Sequence, residues 1–156
     1  MKNSTENQVE RGSVHKVLAH SYSVYFTLFL IGVSLDLIFN FKVFNNFFMI
    51  PLGAIFLALG TLLILWAQKT SRSLNKENLS KKTFYRGPYK YTRGPTHWGL
   101  FLMMFGFGMI INAFFVILST VVSFFISKYI FLNKQEKILE EKYGTSYREY
   151  KKTVKF

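Results

Sequence analysis

The chain of 156 residues contains no cysteine. That excludes disulfides, thiolate metal sites and a cysteine nucleophile, and leaves the compartment open. Acids are scarce, with eight Asp or Glu against twenty Lys or Arg, for a formal net charge of +12. Histidine occurs three times, and His15 and His20 precede the first apolar run without ligand spacing, so no metal site is expected. Long stretches of soluble, mixed-charge sequence are also missing. Half of the residues are hydrophobic, and they are gathered in runs of about the 20 residues that a bilayer-crossing helix needs. The basic residues lie beside these runs. They read as topology signals and contacts to anionic lipid headgroups, and nucleic acid is not an expected partner.

These runs predict an all-α, polytopic membrane protein forming one domain. Residues 1–20 are polar and carry three basic residues, and no small-x-small cleavage site follows the first run. They read as a cytoplasmic tail ahead of a retained span rather than as a signal peptide. Spans are expected at 21–39 and 47–67, where Pro51 falls in the tolerant first turn. A cytoplasmic loop follows at 68–95. Asp36, near the far end of the first span, reads as an interface marker.

Between Trp98 and Ser127 there are 30 residues without a formal charge. One helix of that length would run about 45 Å, too long for a single crossing and slightly short for two. Charge decides between them. Eight basic residues lie in 68–93 and eight more from Lys128 onward. A hairpin near Asn112 and Ala113 places both sets on the cytoplasmic side and leaves only Lys42 outside, as the positive-inside tendency favours. The expectation is therefore four transmembrane helices, the last two (96–111 and 113–132) a hairpin, followed by a cytoplasmic helical tail at 133–156. Gly99 and Gly106 share a face of the third helix, suited to close helix packing within the chain or between copies. Tyr143-Gly144 reads as a C-cap, with a short amphipathic helix beyond it carrying Tyr147 and Tyr150.

The polar material is concentrated at one membrane entrance, Gly87-Pro-Tyr-Lys-Tyr-Thr-Arg-Gly-Pro-Thr-His-Trp-Gly99. Pro95 suits a first helical turn with Gly94 or Thr96 at the cap. The helix N-terminus and Arg93 together favour an anion there. A hairpin returns Gln135 and Glu136 to the same side. Glu136 would then hold an ammonium while Arg93 holds a carboxylate, a pairing that fits an amino-acid-bearing cofactor. Tyr89, Tyr91 and His97 would line its adenosine side, although the two tyrosines read equally well as an aromatic belt. Glu140 and Glu141 read as surface charge.

The 87–99 segment resembles the Gly-Pro-Tyr-x-Tyr-x-Arg-His-Pro-x-Tyr-x-Gly motif of the isoprenylcysteine carboxyl methyltransferase and phospholipid methyltransferase superfamily. Gln135-Glu136-x-x-Leu139-x-x-x-Tyr143-Gly144-x-x-Tyr147-x-x-Tyr150-x-x-x-Val154 is similar to its tail motif. Gly60 and Trp66-Ala67 also fit its pattern. Gly94 stands where the family has His, His97 where it has Tyr, and Gln135 where it has Glu. The resemblance implies an integral membrane methyltransferase that uses S-adenosylmethionine on a lipophilic or amphipathic acceptor, either isoprenylcysteine-carboxylate-like or lipid-like. It points to Arg93 as the catalytic residue and to Gly94, Pro95, Gly99 and Glu136 as cofactor-binding, beside the Tyr89, Tyr91 and His97 read above as lining the cofactor. The alternatives are a non-catalytic member that binds anionic lipid or a membrane partner and, with less support, a membrane reductase.

Overall fold

The computed structural model describes residues 2–44, 47–74 and 86–154. Residues 75–85 of the expected cytoplasmic loop, and the chain end at 155–156, lie outside them. All regular structure among the described residues is helical. Helix α1 is Lys2–Phe39 and α2 is Met49–Leu74. A 3₁₀ turn at Gly87–Lys90 leads to α3, Pro95–Ile110, and then α4, Phe114–Ile126. A π-helical stretch, Ser127–Leu132, joins α4 without a break to α5, Asn133–Tyr143, and α6 is Thr145–Thr153.

Among the described residues, three helices are long and apolar enough to cross a membrane: Lys16–Phe39, Met49–Ser71 and Phe114–Glu141. Helix α3 is equally apolar but has 16 residues, or about 24 Å at 1.5 Å per residue. The residues before Ser21, read above as a tail, continue α1 from Lys2. The fourth apolar segment likewise does not stop at 132. It runs on as helix through Tyr143, because no Gly or Pro interrupts it before Gly144. Gly144 ends α5 at φ +54°, with its N–H donating to the Glu140 carbonyl.

Glycines set how closely the helices pack. Gly53 and Gly60 on α2 meet Gly106 and Gly99 on α3 in antiparallel order. A Cβ on Gly60 would lie 2.5 Å from the Met103 nitrogen, and one on Gly106 would lie 2.5 Å from the Gly53 carbonyl oxygen. The Gly99/Gly106 face, open in the sequence to a second copy, is therefore occupied by α2. Small residues earn this contact in lipid because close backbone approach and dispersion replace the hydrophobic driving force.

Helices α3 and α4 reverse at Ile111–Ala113, where Asn112 takes φ +54°. Its side chain also fastens the α1–α2 connection. Oδ1 accepts from the Val43 and Phe44 N–H groups, both at 2.9 Å, and Nδ2 donates to the Phe44 carbonyl at 2.8 Å. Asp36 corrects its reading as an interface marker. Its two carboxylate oxygens accept the N–H groups of Phe115 and Val116 at 3.1 and 2.8 Å. It thus caps the first turn of α4 from another helix, a contact of the kind worth about 1 kcal/mol.

Candidate functional site

The site lies at the opposite end of the bundle, where the 87–99 segment meets α5. Gly94 is the N-cap residue of α3 and Pro95 is its first residue, fully buried, so the segment enters the helix without wasting an N–H. The π-helical stretch sets the other half. It accommodates an extra residue, which rotates everything after it by roughly 100°. Gln135 and Glu136 are buried in the rotated α5.

Arg93 and Glu136 meet there. Arg93 donates from Nη1 to Glu136 Oε1 at 2.7 Å, and Lys151 of α6 reaches Oε2 at 2.9 Å. The Glu136 side chain is only 5% exposed and that of Arg93 17%. One carboxylate thus faces two cations in a largely dry place, where an ion pair is costly to build and costlier to break. Tyr147, Tyr150 and Val154 pack α6 against Leu139 and Tyr143. The Tyr150 hydroxyl donates to the Tyr89 carbonyl at 2.6 Å, tying the tail to the 3₁₀ turn. Burial, and then the Glu136 carboxylate, pushes the Tyr147 phenol well above its usual range, so it stays protonated. Glu140 pairs with Arg148 at 2.6 Å on the surface, as expected of a solvated acid.

A cavity of about 30 Å³, lined by Arg93, Gly94, His97 and Lys128 among others, opens beside the ion pair. His97 is the polar centre of this region. Its Nδ1 is 2.9 Å from the Ser127 hydroxyl, which is 2.6 Å from the Ser21 hydroxyl. Ser127 is also the first residue of the π-helical stretch. The Tyr25 hydroxyl faces Ser127 from α1 but closes no hydrogen bond of good geometry. Beyond Tyr25 lies a groove of about 510 Å³ between α1, α2 and α3. Its walls are almost wholly apolar, formed by residues such as Phe26, Phe29, Leu57, Met103 and Phe107.

The expected site residues therefore divide. Arg93, Gly94, Pro95, His97 and Glu136 come together. The Tyr89 side chain is half-buried toward Ser71, Thr96 and Tyr22, on the groove side of the bundle. Tyr91 is 70% exposed, and its ring contact is with Lys90. Gly99 faces Gly60 and Ile64 of α2, so its small size serves helix packing. Ser21, Tyr25, Ser127, Lys128 and Lys151 were not foreseen. The signal for the first three was present as hydroxyls at i, i+4 on α1 and as Thr120, Ser123 and Ser127 along one buried stripe that runs from α4 into the π-helical stretch. Among the described residues no group of acids and histidines could hold a metal ion.

A sequence model of the phospholipid methyltransferase family matches residues 48–146. The chain belongs to the phospholipid methyltransferase family. No curated protein and no solved structure matches it. The family region contains α2 through α5, and with them both halves of the Arg93–Glu136 pair and the His97–Ser127 contact. Helix α1, which supplies Ser21 and Tyr25, and nearly all of α6, which supplies Lys151, lie outside it. Together with the three spanning helices, membership identifies an integral membrane protein of a methyltransferase family whose substrates are lipids, and it favours the methyltransferase expectation over the reductase one.

Proposed function

We propose that this phospholipid methyltransferase family member is an S-adenosylmethionine-dependent enzyme whose acceptor is a membrane lipid. The buried Arg93–Glu136 pair carries the reading, because it joins the two motif segments at a single point. The donor set fits the charged end of the cofactor: Arg93 would take its carboxylate and Glu136 its ammonium. When bound, the cofactor supplies an electrophilic sulfonium methyl. The protein's part is to hold the charged ends, exclude water and align the acceptor. The cavity beside Arg93 admits about one water, so the ion pair has to part to admit a ligand. The apolar groove ending at Tyr25 suits a lipid chain entering from the bilayer.

Calorimetric titration of S-adenosylmethionine into the detergent-purified protein tests this. Saturable binding is expected, weakened at least tenfold by Arg93→Ala and by Glu136→Gln. Wild-type protein that is folded and binds nothing at millimolar cofactor would overturn it. A second reading, a member that keeps the fold and binds lipid without turnover, would then stand. The engagement of both Glu136 oxygens by Arg93 and Lys151 favours it.

For topology, we infer that α3 is a fourth span, with both chain termini and the Arg93 site on the cytoplasmic side. The support is the charge distribution, which leaves Lys42 alone on the far side. The lack of cysteine makes the test clean. In sealed cells an impermeant maleimide should label Lys42→Cys and spare Lys69→Cys; labelling of both, or of Lys69→Cys alone, would refute the arrangement.

A further inference from the structure

We propose that Lys151 is a built-in competitor for the cofactor's ammonium: its own ammonium holds Glu136 when no cofactor is bound, and the incoming amino-acid end displaces it to water. The proposal rests on the reading above that Glu136 takes that ammonium, and it adds what keeps the seat filled between ligands.

The two groups are chemically alike. A lysine ammonium and an α-ammonium each carry one positive charge and offer N–H donors only. Lys151 Nζ lies 2.9 Å from Glu136 Oε2, and Arg93 Nη1 lies 2.7 Å from Oε1. Both carboxylate oxygens are thus engaged by the chain itself. Glu136 is buried, and a buried carboxylate that loses a charge partner is strongly destabilised. Lys151 supplies that partner whenever a ligand does not.

Charge decides which of the two cations yields. The cofactor's amino-acid end brings one carboxylate and one ammonium. Arg93 with the carboxylate and Glu136 with the ammonium close two pairs, and no negative charge is left for Lys151. If it stayed, a surplus cation would lie beside the ligand's ammonium, with little water to screen the repulsion. Its side chain is also the one placed to leave. It is 42% exposed, against 17% for Arg93. It ends in a compact, strongly hydrated charge on a flexible stem, whereas Arg93 presents a planar fork suited to a carboxylate.

The helix that carries Lys151 does not have to move with it. Tyr147 and Tyr150 are buried and pack with Val154 against Leu139 and Tyr143. The Tyr150 hydroxyl donates to the Tyr89 carbonyl at 2.6 Å. These anchors hold the α6 backbone on both sides of position 151, so the side chain swings by itself. Arg148, one turn earlier, pairs with Glu140 at 2.6 Å and does not take over Glu136. The double engagement of Glu136 is then a resting arrangement rather than the mark of a lost site. It lowers the affinity for the cofactor by the strength of the Lys151–Glu136 pair.

The test compares two ligands on three proteins by calorimetry. S-adenosylmethionine has the amino-acid end; 5′-methylthioadenosine has the adenosine and the sulfur without it. Lys151→Ala should bind S-adenosylmethionine more tightly than wild type, by about threefold or more. Lys151→Arg, whose guanidinium grips a carboxylate more firmly, should bind it more weakly. Neither substitution should change the affinity for 5′-methylthioadenosine. Limited acetylation of lysines, read by mass spectrometry, reports the displacement in the unsubstituted protein. S-adenosylmethionine should raise the labelling of Lys151 against that of its exposed neighbour Lys152, and 5′-methylthioadenosine should not. Equal or weaker binding of S-adenosylmethionine by Lys151→Ala would overturn the proposal. So would a fall in Lys151 labelling, which would show that Lys151 holds the ligand instead of making way for it. Binding by Lys151→Ala with none by wild type would support the competitor in its strongest form. Equal binding by all three proteins defeats the competitor and leaves the methyltransferase reading standing, whereas no binding by any of them defeats both.

Discussion

Gly60→Leu is expected to leave little or no folded protein. The first added carbon alone would sit 2.5 Å from the Met103 nitrogen and 2.6 Å from the Gly99 carbonyl oxygen. Both obstacles are backbone atoms of α3, so no rotamer change relieves the clash, and the helices would have to separate. Overpacking by side-chain contacts costs about 1–3 kcal/mol, and a collision with a rigid helix backbone should exceed about 3 kcal/mol. Separation would also carry Gly99 and the start of α3 away from α2, and the Arg93 site with them. Ala58→Leu, on the exposed face of the same helix, controls for added bulk and should change the unfolding midpoint little. Detergent unfolding followed by circular dichroism measures both. A Gly60→Leu midpoint within a few degrees of wild type would mean that α2 and α3 do not pack through these glycines.

That interface shows how far the sequence carries. The apolar runs, the reversal near Asn112 and the small-residue face of α3 are all visible, because composition and period encode them directly. The partner of that face is not, since Gly53 and Gly60 show only that α2 has a matching stripe. Asp36 illustrates the limit more sharply. A lone acid at the end of an apolar run carries no periodic signal, and the two N–H groups it caps belong to a helix far along the chain. The π-helical stretch at Ser127–Leu132 is equally silent, because no Gly or Pro marks it. Yet it helps to set which way Gln135 and Glu136 face. The motifs were sufficient to bring Glu136 to the 87–99 segment that carries Arg93. They did not indicate that Lys151 would close the other side of that carboxylate, or that His97 would meet hydroxyls from α1 and the π-helical stretch.

Glu136→Gln is expected to abolish cofactor binding and also to cost about 3 kcal/mol of stability, because Arg93 is left mostly buried without its counter-charge. The two effects can be separated. Replacing both members, Arg93→Met together with Glu136→Leu, removes the need to desolvate either ion, and apolar substitutes for a buried pair are often neutral or stabilising. Lys151, whose side chain is 42% exposed, can turn to water when its partner is gone. The double substitution should therefore recover most of the stability lost in Glu136→Gln and bind no S-adenosylmethionine. Lys151→Ala should cost less than about 1 kcal/mol and preserve binding, since it frees an oxygen of Glu136 for the ligand's ammonium. Unfolding and calorimetry on the same four samples decide the matter. A double variant that still bound the cofactor would show that the pair is only a clamp between α5 and the 87–99 segment, with the ligand held elsewhere. A double variant as unstable as Glu136→Gln would show instead that the site depends on charge for its fold, and binding lost in the single variants could then no longer be read as loss of a ligand contact.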